Sequence, residues 1–428
     1  MTTKKRWLTS LSLWLAVPMV VLIVSINLED GLSSTRGYWM TATTKASEAI
    51  AFTGMVAALG ATWEASRLRR TGLLAITARS RLLVVAEALA PTVVVALLGT
   101  LVSYAMLATL ALGAPGGPAW HVIGVNLAAL AGITGWGLFL GFLLPPALSL
   151  TICLAGTYIW YFVTAAHYQF PLWARFLSGG FLGDPGVWGV PDPRALLAAL
   201  VSASGLLVAG LCALLLRDRG HALVAGVLMV LLAVGSGCLI VRPLDYHPVV
   251  ARTGIACDRI IEDEITVCLW PELEPDREAL VPEIVRQHQA FTARGIDLPS
   301  TVSAAQEEPE GSLWLPMFPR ADARSTVAAG FVHVLMPEEL PESCPNEKFP
   351  QHTMDAVLAW LRTTAETEGH EEYRASISAR SARALDAVLE LPPEAQGEWY
   401  AINRPVLGTC SPDPDTLDPR HLAPEADS

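Results

Sequence analysis

The chain has 428 residues, of which 52% are hydrophobic and only 16% charged, with a mean hydropathy of +0.42; soluble chains carry roughly a quarter charged residues. Its formal net charge of −12 divides unevenly: residues 1–241 hold 14 Lys+Arg against 8 Asp+Glu, net +6, and residues 242–428 hold 15 against 33, net −18. That balance excludes a single water-soluble enzyme domain, a disordered chain and a nucleic-acid binder, which would present a basic face.

The pattern predicts an α-helical polytopic membrane protein of about seven spans with a C-terminal, mainly helical α+β domain in water. The expected boundaries are a transmembrane domain over 1–241, a soluble domain over 242–410 and a disordered acidic tail over 411–428. The 25 Arg against 4 Lys are the bias of a GC-rich bacterial genome.

A hydrocarbon core about 30 Å thick needs roughly 20 apolar residues per helix. Seven stretches qualify: Trp7–Ile26, Ala46–Trp63, Leu82–Leu112, His121–Leu144, Ala147–Ala166, Ala195–Leu216 and Ala222–Val241. The first follows Lys4-Lys5-Arg6 but has no small-x-small cleavage site, so it reads as an uncleaved span. The third is long enough to tilt or to begin in the interface. The fourth and fifth, separated only by Pro145-Pro146, read as two helices.

Lys and Arg near span ends stay on the cytoplasmic side. With the N-terminus inside, cytoplasmic segments hold Lys4, Lys5, Arg6, Arg67, Arg69, Arg70, Arg79, Arg81, Arg217 and Arg219, and outer loops hold Arg36, Lys45, Arg175 and Arg194. Trp7, Trp39, Trp63, Trp120, Trp160 and Trp173 fall near span ends, as interfacial aromatics do. Seven spans then carry the C-terminal domain to the extracytoplasmic side of the cell membrane. Cysteine use agrees with that expectation. Cys153, Cys212 and Cys238 sit in spans as small packing residues. The other four, Cys257, Cys268, Cys344 and Cys410, suit two disulfides in an oxidising compartment. Three pairings are open, and Cys257–Cys268 with Cys344–Cys410 is the favoured one.

The loop after the second span reads Trp63-Glu64-Ala65-Ser66-Arg67-Leu68-Arg69-Arg70, then Ala78-Arg79-Ser80-Arg81. Leu68, Leu73, Leu74 and Ile76 can share one side of a short interfacial helix while the arginines reach water. Any cytoplasmic loop is basic, so solvation alone also accounts for these charges. The layout nevertheless resembles the coupling helix of the type-two ABC exporter permeases: an acidic residue ends the second span, a short amphipathic helix follows, and a Ser-Arg-like element precedes the third span. Glu64, Arg67, Arg70 and Ala78-Arg79-Ser80-Arg81 carry the likeness, which covers residues 1–220 in layout and is specific only over Glu64–Arg81. The chain departs from the family in having Glu87 where a Lys often begins the third span, and in its seventh span and added domain. The resemblance implies a transmembrane subunit that docks a separate ATPase through Glu64, Arg67, Arg69 and Arg70 and works as a homo- or heterodimer.

Nothing in the chain would hold the nucleotide. None of the lysines, Lys4, Lys5, Lys45 and Lys348, follows a GxxxxG pattern, and Leu177-Ser178-Gly179-Gly180 matches the start of an ABC signature motif only by coincidence. Glu87, inside the third apolar segment, is an intramembrane polar candidate, or an interfacial carboxylate paired with Arg79 or Arg81. Glu48 reads as interfacial. Gly137-x-x-x-Gly141 offers a small-residue face for close helix approach.

In the C-terminal half, His370-Glu371-Glu372-Tyr373-Arg374 begins like a zinc-binding HExxH helix, but Arg374 stands where the second ligand must be. No GxSxG elbow or Cys/His metal spacing occurs, and His247, His288, His333, His352 and His421 are scattered. No catalytic residue, metal site or cofactor is therefore expected. Helices are expected over Pro275–Arg294, ended by Gly295, over Thr353–Glu368, stopped by Gly369, over Ser376–Leu391 and over Pro393–Leu407. Val249–Ala256 and Ile265–Leu269 read as strands, and Ser312–Pro319 as an extended segment or loop. The two functional expectations are a permease subunit energised by a separate ATPase and, alternatively, a membrane-anchored sensory or binding protein with a ligand-binding ectodomain.

Overall fold

The computed structural model describes residues 10–29, 36–76, 78–166, 172–182, 185–216, 218–244, 248–260, 265–306, 308–337 and 349–419. It divides into two compact units, Met1–Val250 and Ala251–Ser428. Lys4, Lys5, Arg6, Trp7, Arg217, His247, Cys344, Lys348 and His421 lie outside the described residues.

The first unit is a helical bundle: α1 (Leu11–Glu29), α2 (Trp39–Ser47), α3 (Ile50–Thr71), α4 (Arg81–Ala111), α5 (Trp120–Leu143), α6 (Pro146–Tyr158), α7 (Pro193–Leu215) and α8 (Arg219–Val241). A π turn, Ile159–Val163, continues α6 to Ala166. Capping follows the sequence. Ser80 accepts from Leu83 N, Asp192 from Arg194 N and Asp218 from Gly220 N. Pro146 and Pro193 open their helices, where the missing N–H is harmless.

Among the described residues, six helices are long and apolar enough to cross a membrane: α1, α4, α5, α6 with its extension, α7 and α8. The seventh expected span is not among them by length and composition. The segment expected over Ala46–Trp63 is α3, which starts at Ile50 and runs on through the polar stretch Glu64–Thr71. Its apolarity is low because it faces protein: it packs against α1, α4, α5 and α6, and 14 of its 22 residues are buried. A helix enclosed by neighbours needs small side chains and satisfied hydroxyls rather than an apolar surface. The 31 residues of α4 extend about 46 Å at about 1.5 Å per residue, so its excess over the hydrocarbon thickness goes into tilt or projection.

Close backbone approach joins α3 to α5. A Cβ on Gly137 would lie 2.3 Å from Ala58 O and one on Gly141 2.5 Å from Thr62 O, so only glycine permits this crossing. Thr62 Oγ1 then donates to Gly137 O at 3.0 Å and Ser66 Oγ to Gly141 O at 3.3 Å. Interhelical bonds of this kind contribute about 0.6 kcal/mol each in a bilayer. The small-residue face is therefore used within the chain. Outward, Trp14, Val17, Leu101, Leu231 and Leu239 stay exposed.

The second unit carries a four-stranded sheet in the order β3-β4-β5-β6: β3 (Ala256–Ile260), β4 (Ile265–Leu269), β5 (Thr301–Ser303) and β6 (Leu313–Trp314). Strands β1 (Gly189–Pro191) and β2 (Val249–Ala251) form a separate two-stranded pair. The β3–β4 pairing is antiparallel, with Cys257 opposite Cys268, and the β4–β5 and β5–β6 pairings are parallel. Parallel strands need a crossover, and α9 (Arg277–Thr292) supplies it between β4 and β5. The remaining helices are α10 (Ala323–Leu335), α11 (Gln351–Thr364), α12 (His370–Ser376), α13 (Ala379–Leu389) and α14 (Pro393–Asn403).

An aromatic cluster centres this unit. Trp360, Trp399, Phe291 and Phe331 are fully buried; Trp360 lies 5.2 Å from the Tyr400 ring and 6.2 Å from Trp399 between centroids. Trp360 Nε1 donates to Gln396 and Trp399 Nε1 to Leu417 O, at 3.1 Å each, as buried indoles require. Leu417 is itself buried, and Asp413 accepts from Thr353 N and Oγ1 at 2.8 and 2.9 Å. Residues 411–419, expected to be disordered, instead pack on this unit because Trp399 and the start of α11 both need acceptors; 420–428 lie outside the described residues.

Candidate functional site

The Glu64–Arg81 stretch begins at the last two turns of α3. Glu64 is buried, and its Oε2 lies 3.1 Å from Arg67 Nη2, one turn on. Burial takes the Glu64 carboxylate out of water at a desolvation cost, which the ion pair with Arg67 offsets. Arg70 projects outward, with its guanidinium 5.9 Å from the Trp63 ring. Arg69 turns the other way and donates through Nη1 to Phe142 O at 3.2 Å, at the end of α5. The four expected coupling residues therefore do not form one surface: Arg67 and Arg70 lie on the outer side and Arg69 is committed to the bundle.

The interfacial helix expected here contracts to a single turn, Leu73–Ile76. Leu68 belongs to α3 instead, where it is buried. Gly72 causes the break: at φ +64 it takes the left-handed conformation that ends a helix cheaply only in glycine. The chain turns there and re-enters α4 at Arg81 behind the Ser80 cap. Glu87 is exposed and accepts from Arg79 Nη1 at 3.0 Å. Glu48 pairs with Lys45 at 3.2 Å.

In the second unit, Cys257 and Cys268 form a disulfide across the β3–β4 pair, with Cα atoms 3.9 Å apart. Cys410 is also disulfide-bonded; Cys344, its expected partner, lies outside the described residues. Cys153, Cys212 and Cys238 are free. His370 Nδ1 lies 2.8 Å from Thr367 O and its Nε2 3.4 Å from Glu371, so the truncated HExxH segment is absorbed by its own helix start. Among the described residues no group of three His, Cys, Asp or Glu could hold a metal.

Sequence reasoning missed one feature. Helices α10 and α11 flank an apolar cavity of about 590 Å³ lined by Val332, Met336, Met354 and Leu358. It adjoins a polar, open cavity of about 880 Å³ lined by Arg324, Glu366, Thr367 and His370. The two share Ser325, Thr367 and Glu368. Asp322 before a Val327/Phe331/Leu335 repeat was the available sign of α10, with Asp322 accepting from Ser325 N as the cap. Beside the polar cavity, burial pushes the Glu283 carboxyl up, but hydrogen bonds from Arg286 and Gln287 outweigh it and hold Glu283 below its ordinary value.

A model of a domain of unknown function (DUF7224) matches residues 267–410, within the second unit. No curated protein and no solved structure matches the chain.

Proposed function

We propose that the chain is the membrane-spanning permease subunit of an ABC transporter, exporting a substrate with a separate ATPase subunit. The observation that carries this reading is the end of α3: a buried carboxylate, Glu64, fixes Arg67 at 3.1 Å, while Arg70 faces outward on Trp63. A rigid helix that passes through the bundle and presents cations at its tip is suited to receive a partner's movement and pass it to α1, α4, α5 and α6, on which it packs. In this proposal α3 is the seventh span, sheathed from lipid by its neighbours. With an odd number of spans the two termini lie on opposite sides, and in this proposal the basic loops keep the N-terminus in the cytoplasm and put the acidic, disulfide-bearing unit outside. The protein works as a dimer in the lipid bilayer, and this chain hydrolyses nothing itself.

Purification from the native host in mild detergent should co-isolate an ATPase. Arg70→Glu, which leaves the Arg67 partner of the buried Glu64 in place, should weaken that association while leaving a monodisperse bundle. A native preparation that contains no ATPase, or an Arg70→Glu variant that retains it unchanged, overturns the proposal.

The paired cavities between α10 and α11 favour a second reading, a membrane-anchored binding or sensory protein. Their volumes, about 590 and 880 Å³, lie in the range of small-molecule sites. Saturable ligand binding by the full chain, abolished by Met354→Trp and obtained without any ATPase, would establish it over the first.

A further inference from the structure

Three arginines from three different helix ends line one groove of about 240 Å³ at the end of the bundle: Arg69 near the end of α3, Arg81 opening α4 and Arg219 opening α8. Leu74, Phe142 and Leu216 form its apolar wall. Arg219 and Arg70 are close enough to repel Arg69. The carboxylates of this end are already engaged elsewhere: Glu64 with Arg67, Glu87 with Arg79 and Asp218 with His221. None of the three groove arginines has an ion-pair partner among the described residues.

Helix capping accounts for part of this. Arg69 donates to Phe142 O and Arg81 to Leu214 O at 3.4 Å, which satisfies terminal carbonyls of α5 and α7. A guanidinium has five N–H donors, so one carbonyl each leaves most of them unused. Capping does not account for Arg219. It occupies the first position of α8, where a cation opposes the helix dipole, and it makes no side-chain hydrogen bond among the described residues. A cluster of like charges of this kind is stabilised by an anion held between them.

We propose that this groove binds the phosphate headgroup of an anionic phospholipid. Its volume admits a headgroup, and Leu82, Leu83, Leu215 and Leu223, on the turns beside Arg81 and Arg219, are exposed and offer apolar surface to acyl chains. Charge below, apolar surface beside it and position at the end of membrane-length helices together select a lipid over a free phosphate ion. This assignment does not depend on the permease reading.

The test uses the full-length protein in mild detergent, titrated with phosphatidylglycerol and, separately, phosphatidylcholine, with bound lipid read by native mass spectrometry. Phosphatidylglycerol should be retained preferentially. Near a membrane surface each arginine is worth about fivefold in affinity, so Arg219→Gln should weaken phosphatidylglycerol by about fivefold and Arg81→Gln with Arg219→Gln by about twenty-five-fold. Phosphatidylcholine should be unaffected, and Arg194→Gln, at a different helix start, should change neither lipid. Arg219→Gln alone decides the matter if the double variant loses monodispersity, since Arg219 makes no side-chain hydrogen bond or ion pair among the described residues. An unchanged lipid preference in Arg219→Gln overturns the proposal. So does full displacement of the lipid by glycerol 3-phosphate, which would make the ligand a soluble phosphate, and so does retained lipid with loss of a co-purifying protein, which would make these arginines a protein contact.

Discussion

The two units of this chain solve the same problem, enclosing polar backbone, with opposite materials. The membrane unit brings helix backbones together over glycine and alanine: Gly137 and Gly141 on Ala58 and Thr62, with hydroxyls donating across the gap. The second unit fills its centre with Trp360, Trp399, Phe291 and Phe331, whose ring nitrogens find acceptors in Gln396 and Leu417. The difference follows from the solvent. In lipid, apolar side chains gain nothing by moving inward, so contact and hydrogen bonds hold helices together. In water, large aromatic surfaces are driven inward, at about 25 cal/mol per Å² of apolar area. Charge follows the same division, +6 over residues 1–241 and −18 over 242–428.

The comparison breaks most visibly at Trp360. Trp360→Ala should cost about 3–5 kcal/mol, a large part of an ordinary domain's stability, and should expose the second unit to protease while the bundle survives. Limited proteolysis of the full chain in detergent reads both units at once. Equal protection of the variant and the parent would show that the aromatic cluster is not what holds this unit. Gly137→Leu should act the other way round. Its side chain has no room before Ala58 O, so the bundle should lose about 1–3 kcal/mol and aggregate at lower temperature, with the second unit's transition unmoved. The control is Leu231→Ala on the exposed face of α8, expected to lie within about 0.5 kcal/mol of the parent. If Gly137→Leu behaves like Leu231→Ala, α3 and α5 are not in the contact described.

Apolar length made the spans α1 and α4–α8 legible in the sequence, because lipid-facing helices must show their solvent in their composition. It is a weaker guide to α3, where Thr53, Thr62, Glu64 and Ser66 are buried, because an enclosed helix need not be apolar. A break dictated by a single residue was also readable at Gly295, which follows α9 at positive φ. By contrast, α11 ends at Thr364, before the positive-φ Glu366, and Gly369 instead precedes α12. What depends on residues far apart in sequence was not. The parallel β4–β5 pairing, the acceptor that Leu417 offers Trp399 and the turn of Arg69 toward Phe142 all join segments whose local patterns carry no sign of each other. The candidate coupling loop was legible as a set of charges, but its division into an outward pair and an inward arginine was not.

The smallest expected effect concerns the acidic unit's dependence on pH. Glu283 is mostly enclosed and accepts from Arg286 Nε at 2.9 Å and Gln287 Nε2 at 3.0 Å. Burial raises its pKa, yet the bonds from Arg286 and Gln287 prevail and the folded value lies below the ordinary 4.5. A carboxyl depressed in the folded state adds stability that is fully present above its unfolded pKa and disappears as pH falls through the folded one. The second unit should therefore lose stability below about pH 4.5, and Glu283→Gln should flatten that loss while lowering stability at neutral pH. Glu366, shared by Arg286 and Arg324, is about half exposed, so solvent screens these pairs and Glu366→Gln should cost less stability at neutral pH than Glu283→Gln. Thermal unfolding of the parent and both variants between pH 6 and pH 3.5 separates these cases. Parallel curves for the parent and Glu283→Gln would mean that the unit's acid sensitivity resides in other carboxylates.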